Sequence, residues 1–210
     1  MRVTIIGAGG FRTPLTYRAL RHLEAHSDHF DAHGWMDVWT EADSVGGFRY
    51  DIVAQGGSGY IRSHVLLKAL ETEEQMWRSG QPERAALTPQ NYVFEDRGAR
   101  ENDGTLASFA VKARRRDVLL IDGSIFLRPD DGELMRVEGR LTKTPSFWTR
   151  RVDVVRRYAR IAGVRMPVSL ESTASVLIAG RSTFSMTYDY ESVNGMHVGN
   201  PEPRPLSSEP

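Results

Sequence analysis

The sequence contains no cysteine, and this absence excludes several kinds of site. A chain without thiols has no disulfide, no zinc centre with cysteine ligands and no thiolate nucleophile. Cytosolic and exported proteins both occur without disulfides, so the absence leaves the compartment open. The chain also has no excess of positive or negative charge, because its 27 basic residues equal its 27 acidic residues and the formal net charge is +0. Nucleic acid is therefore not an expected partner.

Long hydrophobic runs are absent as well. The apolar residues 3–6 are cut short by Gly7, Gly9 and Gly10, so the chain as written shows no secretory signal. A hydrophobic content of 40% and a charged content of 26% are typical of a globular protein. We expect one soluble domain over residues 21–198, preceded by a glycine-rich segment of residues 1–20 and followed by a proline-rich, disordered tail of residues 199–210.

Most of the sequence predicts β-strands. Between residues 116 and 193, stretches of alternating character are separated by short turns such as Asp122-Gly123 and Gly163. Parallel strands need crossovers of about a dozen residues or more, and these links are shorter, so neighbouring strands should run antiparallel. The predicted strands cover residues 35–40, 48–55, 91–95, 106–113, 118–122, 124–128, 133–142, 151–161, 166–178 and 182–193.

Two segments carry apolar residues at helical spacing. Ala19 and Leu23 lie on one helical arc within residues 15–33, and Gly34 would end that helix. A second helix is predicted over residues 61–77. Together these elements predict an α+β fold, a curved antiparallel β-sheet that forms an incomplete β-barrel, with helices covering its concave face.

Alternation along the strands gives the sheet one apolar face. In the last strand Phe184 and Met186 point to one side, whereas Thr183 and Ser185 point to the other. The helices either fill this face as an ordinary core or enclose a hydrophobic cavity suited to a lipid or acyl chain. In the second interpretation, the ligand contacts Trp39, Tyr50, Ile52, Met76, Trp77, Met135, Val137, Leu170, Phe184, Met186 and Tyr188.

Several segments resemble a known superfamily. The residues 38–40, 48–50 and 56–62, and the run 137–158 with Pro145-Ser146-Phe147-Trp148, resemble proteins of the lipoprotein-carrier (LolA/MucB-like) superfamily over about residues 20–195. The resemblance implies an incomplete barrel closed by helices and a non-enzymatic carrier or envelope sensor in the periplasm. Its partners would be lipid or lipoprotein acyl chains, and an anionic membrane surface is a further candidate.

The glycine-rich start resembles a different family. Gly7, Gly9 and Gly10 after a short strand are similar to the opening of family 4 glycoside hydrolases, which implies NAD as cofactor and an activity like that of a 6-phospho-glucosidase. That family also uses a cysteine for its metal, which this chain lacks. An NAD-dependent fragment of this kind is one alternative function, and an interaction domain with a filled core is another.

Two groups of polar residues are further candidates. The spacing of four histidines would place them on one stripe of the predicted first helix, either as a metal site or as a solvated edge. Four arginines would bind an anionic headgroup or protect the sheet surface. We find no catalytic motif and predict a protein without enzymatic activity, cofactor or metal, of open oligomeric state. The histidines are His22, His26, His29 and His33, and the arginines are Arg115, Arg116, Arg156 and Arg160.

Overall fold

The structure is a computed structural model and describes residues 15–28, 31–43, 47–79, 82–100, 105–144, 149–176 and 180–204. One helical segment comprises α1 (Gly59–Ile61), a π-helical turn (Arg62–Leu66) and α2 (Leu67–Arg78), and a 3-10 turn (Pro82–Ala85) follows it. The strands are β1 (Thr16–Ser27), β2 (Ala32–Asp43), β3 (Gly47–Gly57), β4 (Tyr92–Arg100), β5 (Ala107–Ala113), β6 (Ile121–Leu127), β7 (Leu134–Leu141), β8 (Thr149–Ile161), β9 (Val164–Val176), β10 (Gly180–Val193) and β11 (Met196–His197).

All of these strands belong to one antiparallel sheet. Its order is β3-β2-β1-β10-β9-β8-β7-β6-β5-β4, and the short β11 pairs with β10. In the described part of the chain β3 and β4 lie at opposite ends of the sheet, so the sheet is curved but not closed. The helical segment joins these two ends. The predicted antiparallel sheet is thus confirmed, as an open sheet.

The predicted first helix over residues 15–33 is wrong, because β1 and β2 form an antiparallel hairpin there. Residues four positions apart share a face in a helix and also in a strand, so Ala19 and Leu23 fit both periods. The structure shows the strand period, since Arg21 and Ala25 are buried together with them. Within the described residues one helical segment covers the sheet, where the sequence predicted two helices.

A second difference concerns residues 118–128. The sequence predicts two strands around an Asp122-Gly123 turn, whereas the structure has the single strand β6. Gly123 lies opposite Gly139 of β7, and a Cβ atom at Gly123 would lie 2.0 Å from the carbonyl oxygen of Glu138. This glycine therefore permits a close approach of two strands and does not form a turn.

The helical segment packs on one face of the sheet, which we call the inner face. The predicted helix over residues 61–77 is confirmed, and the Ser58 hydroxyl at its start accepts a hydrogen bond from the backbone N–H of Ile61. Ile61, Leu66 and Leu70 are buried in a core that they share with β1, β2 and β10. No helix among the described residues has the length and apolar character needed to cross a membrane.

A second core lies under the other half of the sheet. It is formed by β4 to β8 and includes Leu87, Val111 and Leu134, all of them buried. The two cores are separate clusters of buried residues. The inner face is thus packed at both ends, and the space between the two clusters is where a cavity can form.

Both ends of the described chain contact the sheet. β1 begins at Thr16, inside the glycine-rich segment predicted to end at residue 20. Of the tail predicted to be disordered, Arg204 donates its backbone N–H to the buried carboxylate of Asp37 at 2.5 Å. Its guanidinium group lies 5.3 Å from the ring centre of Trp35. Arg204 therefore docks on the sheet.

Candidate ligand-binding cavity

A cavity with a volume of about 400 Å3 lies between α2 and the inner face. Small-molecule sites commonly measure roughly 300–1,000 Å3, so this cavity is in the lower part of that range. Aliphatic, methionine and aromatic side chains form most of the wall. The helix contributes Ala69, Thr72, Glu73 and Met76, and the remaining walls are Leu15, Tyr17, Arg21, Ala85, Tyr92, Val118, Leu119, Ile121, Val137, Leu141, Val152, Val154, Arg156, Tyr158, Arg165, Met166, Pro167, Leu170, Ser172, Phe184, Met186 and Tyr188.

The strand period selects which residues line the cavity, and β8 shows this most clearly. Val152, Val154, Arg156 and Tyr158 are alternate residues, and all four line the cavity. Arg157 lies between two of them, and its side chain is 45% exposed on the other face. Arg156 therefore occupies an inward position in an otherwise apolar series.

A buried ion pair ties the helix to the sheet at one wall of the cavity. The side chain of Arg21 on β1 is 1% exposed, and its Nη1 and Nη2 lie 2.6 Å and 3.1 Å from the two carboxylate oxygens of Glu73 on α2. Nη2 also donates to the hydroxyl of Tyr17 at 2.6 Å. The guanidinium group lies 5.1 Å and 4.6 Å from the ring centres of Phe48 and Tyr188. Such contacts to aromatic rings stabilise a desolvated cation.

The surroundings of this pair shift the pKa values of its members. Burial lowers the pKa of Arg21, but the neighbouring carboxylate of Glu73 and the hydroxyl of Tyr17 raise it, and the net result is a pKa well above the ordinary value. Burial raises the pKa of Tyr17, and the nearby Arg21 opposes part of that rise. Arg21 is thus charged and Tyr17 neutral near pH 7.

A second polar region lies on β8 and β9. Tyr158 is 5% exposed, and burial raises the pKa of its hydroxyl while the nearby Arg156 opposes the rise. The pKa of Arg165 is lowered, chiefly because burial removes water from its guanidinium group. Two arginines and one tyrosine thus meet an apolar cavity at this wall.

Tyr92 on β4 also lines the cavity and is 1% exposed. Its hydroxyl oxygen accepts a hydrogen bond from the backbone N–H of Ile121 at 3.3 Å. Burial raises the pKa of this hydroxyl to about 12. The folded protein therefore holds the Tyr92 proton at a pH where the unfolded chain has lost it.

We expect this difference to lower the free energy of unfolding as the pH rises from about 10 to about 12. The unfolded chain releases the proton near the ordinary tyrosine pKa of about 10, so deprotonation favours the unfolded state within this window. Urea denaturation at pH 8, 10 and 11 measures the effect. The Tyr92→Phe variant should lose about 1 kcal/mol less than the wild type between pH 8 and pH 11. Identical losses in both proteins would contradict the prediction.

The structure places six of the eleven predicted ligand contacts in the cavity wall. These are Met76, Val137, Leu170, Phe184, Met186 and Tyr188. They come from α2, β7, β9 and β10, which the fold brings around one space. That they contact a ligand remains a prediction.

The other five predicted contacts do not line the cavity. Trp39 lies on the opposite face, where the guanidinium group of Arg18 covers its ring at 4.3 Å. Tyr50, Ile52 and Trp77 pack against the core beneath β1 to β3. Met135 accepts a contact from the guanidinium group of Arg128, with 3.5 Å between Nη2 and Sδ.

Of the four arginines predicted to bind a headgroup, Arg156 lines the cavity. The other three bond to protein groups elsewhere. Arg115 donates to the side chain of Asn91 at 2.5 Å, Arg116 to the carbonyl oxygen of Thr142 at 3.2 Å, and Arg160 to the carboxylate of Glu133 at 3.0 Å. Their binding to an anionic headgroup also remains a prediction.

The predicted helical stripe of histidines is not formed by the three that the structure describes, because His22, His26 and His33 lie on β1 and β2. His22 bonds to the carboxylates of Asp37 and Asp189 at 2.8 Å and 3.0 Å. His26 lies 3.3 Å from Asp28, His33 lies 2.7 Å from Glu24, and His29 is outside the described residues. Among the residues that the structure describes, no group of three metal-ligating side chains is found. Gly7, Gly9 and Gly10 also lie outside them.

Sequence reasoning missed several polar residues of the cavity. Arg21, Glu73, Tyr158 and Arg165 were not predicted as site residues, although all of them line it. A usable signal was a single arginine among alternate apolar residues of a strand, at a position that points to the inner face. Arg156 shows this signal in the sequence. Arg21 shows it once β1 is known to be a strand. Glu73 offered a similar signal, because it lies at helical spacing from Ala69 and Met76 on the apolar side of α2.

Comparisons with known proteins find distant likenesses. No family model and no curated protein matches the chain. Among solved structures it is similar to a DUF1329 family protein from Desulfovibrio piger, with 10% identity, a TM-score of 0.41 and 88% of each chain covered. It is also similar to a LolA superfamily protein from Nitrosomonas europaea, with 9% identity, a TM-score of 0.40, and 89% of this chain and 87% of that chain covered.

The second of these proteins belongs to the superfamily that the sequence resemblance named, but at this identity and TM-score the match shows no family for this chain. The predicted likeness of residues 1–20 to family 4 glycoside hydrolases is not borne out. At these identities and TM-scores the matches transfer no ligand, location or activity to this chain. The function must be argued from the cavity itself.

Proposed function

We propose that the protein binds a lipid or an acyl chain, free or attached to a lipoprotein, in the cavity under α2. It would act as a non-enzymatic carrier or envelope sensor. The observation that supports this is a cavity of about 400 Å3 with a mostly apolar wall between two packed cores. Apolar surface that a ligand could cover is favourable to bury, by about 25 cal/mol for each Å2.

The chemistry of the wall favours a flexible apolar ligand. Met76, Met166 and Met186 are unbranched side chains that adapt to irregular shapes. Aromatic rings such as Phe184 add contact area. The volume suits one chain better than a lipid with several chains, because it lies in the lower part of the range for small-molecule sites.

The location and the partners belong to the same proposal. We place the protein in the periplasm, with lipid or lipoprotein acyl chains as partners and an anionic membrane surface as a site of encounter. These points rest on the sequence resemblance to the lipoprotein-carrier superfamily. The filled-core alternative predicts instead that nothing enters the cavity, so a binding experiment separates the two.

The neutral fluorescent probe N-phenyl-1-naphthylamine provides that experiment. We expect saturable binding of one probe per protein, with a Kd on the order of 10–100 μM, because a small apolar molecule has few atoms that can contribute to the free energy of binding. A tryptophan at Ala69, which lines the cavity from α2, should fill part of the space and weaken binding at least about tenfold. Fluorescence titration measures both values.

The matched control places the same tryptophan on the exposed side of the same helix. The side chain of Glu71 is 40% exposed and does not line the cavity, so Glu71→Trp should bind the probe like the wild type. Lipid that stays bound through mild purification and appears in native mass spectrometry would support the proposal. No saturable binding to the wild type, or equal weakening in both variants, would refute it.

A further inference from the structure

The polar residues of the cavity wall form two groups of different character. Arg21 and Glu73 neutralise each other in a direct ion pair. The wall formed by β8 and β9 carries Arg156, Arg165 and Tyr158. The described lining therefore contains three guanidinium groups and one carboxylate group. This surplus of positive charge faces an otherwise apolar space.

We infer that Arg156, Arg165 and Tyr158 form a binding site for the anionic headgroup, a carboxylate or a phosphate, of a single-chain amphiphile. The apolar chain would fill the rest of the cavity. The inference rests on the proposed function, because it assigns the polar end of the same ligand. It adds the chemical class of that ligand and the residues that select it.

Tyr158 provides the first argument. Its side chain is 5% exposed and faces the cavity. The guanidinium group of Arg156 interacts with its hydroxyl oxygen as a hydrogen-bond donor, but no acceptor for the Tyr158 O–H is found among the described residues. A buried O–H without an acceptor is unfavourable, and such groups in native proteins usually donate to a ligand, an ion or water. An anionic oxygen at this place would accept the Tyr158 O–H.

Arg156 provides the second argument. The charged and polar groups that act on its guanidinium are the hydroxyls of Tyr158 and Tyr188 and, more weakly, the carboxylate of Glu73. A guanidinium group has five N–H donors in a planar fork, so contacts to protein groups leave donors for a ligand. The fork matches the two oxygens of a carboxylate or a phosphate.

Arg165 provides the third argument. Burial has the largest effect on its pKa and lowers it, which means that the charged group has lost hydration. The carboxylate of Glu133 acts on Arg165 and opposes this lowering of the pKa, and it is shared with Arg160 at 3.0 Å and Arg128 at 3.4 Å. A ligand anion between Arg156 and Arg165 would offset the lost hydration, and a cationic headgroup would be repelled there.

Three ligands with the same ten-carbon chain test the assignment: decanoate, decyl phosphate and 1-decanol. Each competes with N-phenyl-1-naphthylamine, and displacement gives its Kd. We expect at least one of the two anions to bind at least about tenfold more tightly than the alcohol, the ratio typical of a hydrogen bond to a charged group. The tighter of the two anions identifies the headgroup as carboxylate or phosphate.

Equal affinities of all three ligands would overturn the headgroup assignment and leave the proposed function intact. If the probe and all three ligands fail to bind, the proposed function fails and the assignment fails with it. These two failures are distinguishable, because the neutral probe and 1-decanol report the apolar cavity alone.

Variants locate the headgroup. Arg156→Gln should weaken binding of the preferred anion at least about tenfold and change that of 1-decanol less than about twofold. Tyr158→Phe, which removes one hydroxyl, should weaken anion binding about three- to tenfold. The control Arg157→Gln changes the adjacent exposed arginine and should leave both affinities unchanged.

Circular dichroism confirms that each variant is folded. If Arg156→Gln does not fold, Arg165→Gln replaces it, with the same expected loss of anion affinity. Equal weakening of the anion and of 1-decanol would indicate damage to the cavity and would overturn the assignment. Unchanged anion binding in a folded Arg156→Gln or Arg165→Gln variant would overturn it as well.

Discussion

Replacing Arg21 by methionine is expected to lower the free energy of unfolding by about 3–5 kcal/mol, the typical cost of removing one partner from a buried ion pair. Methionine keeps much of the side-chain volume but removes both hydrogen bonds to Glu73 and the one to Tyr17. The Glu73 carboxylate would then stay partly buried without its cation, with 22% of its side chain exposed. Urea denaturation, analysed at a constant m-value, measures the change.

The control is an arginine three residues away on the same strand. Arg18 also pairs with carboxylates, those of Glu41 and Glu191, but its side chain is 40% exposed. Ion pairs at such exposure contribute about 0–1 kcal/mol, so Arg18→Met should cost no more than that. A double-mutant cycle of Arg21→Met with Glu73→Gln should show a coupling free energy above about 1 kcal/mol. Equal losses in the Arg18 and Arg21 variants would show that burial does not strengthen this pair.

The Arg21–Glu73 pair also bears on the proposed binding role. It fixes α2 over the cavity at Glu73, between Ala69 and Met76 of the same lining face. Its two charges neutralise each other, so the pair can stand in an apolar wall without attracting a ligand headgroup. The proposed headgroup site is then formed by Arg156 on β8 and Arg165 on β9. Helix position and ligand selection are thus assigned to different charged groups of one cavity.

The sheet was predictable because its evidence is local. Short links around Gly163 and residues 129–132 exclude helical crossovers, and this argument needs no knowledge of tertiary contacts. The error at residues 15–33 has an equally local origin. Apolar residues four positions apart, such as Ala19 and Leu23, fit both the helical period and the strand period. Only the burial of Arg21 and Ala25 distinguishes a strand from a helix here. Without its partners β2 and β10, β1 gives no further sign of its conformation.

The cavity was predictable in part for a different reason. Alternation assigns Phe184, Met186 and Tyr188 to one face of β10, and that face does line the cavity. It does not tell which part of a curved sheet lies under the helix, so Tyr50 and Ile52 were placed in the cavity although they pack in a core. Arg21 and Glu73 are 52 positions apart in the sequence, and they meet only because of the way α2 is oriented on the sheet. The alternation of residues along one strand does not predict this contact.

Gly123→Ala should be the second most damaging substitution, with an expected loss of about 2–3 kcal/mol, as for overpacked sites. The new Cβ would lie 2.0 Å from the carbonyl oxygen of Glu138 and 2.5 Å from the Cα of Gly139. Both atoms belong to the backbone of β7, so no side-chain rotation relieves the overlap and the two strands must separate. Alanine is intrinsically the better strand residue by about 0.5–1 kcal/mol, and this gain only partly offsets the strain.

Gly59→Ala is the matched control, since its Cβ would meet a single atom, Nη2 of Arg62, at 3.7 Å. Gly59 is the first residue of α1, so alanine there should leave stability unchanged or raise it by up to about 1 kcal/mol. Ile121 of β6 and Val137 of β7 line the cavity, and separation of these strands would move its wall. We therefore expect Gly123→Ala also to weaken binding of N-phenyl-1-naphthylamine, by fluorescence titration at a temperature where the variant is folded. A variant as stable as the wild type would show that β6 and β7 do not approach as closely as the paired glycines require.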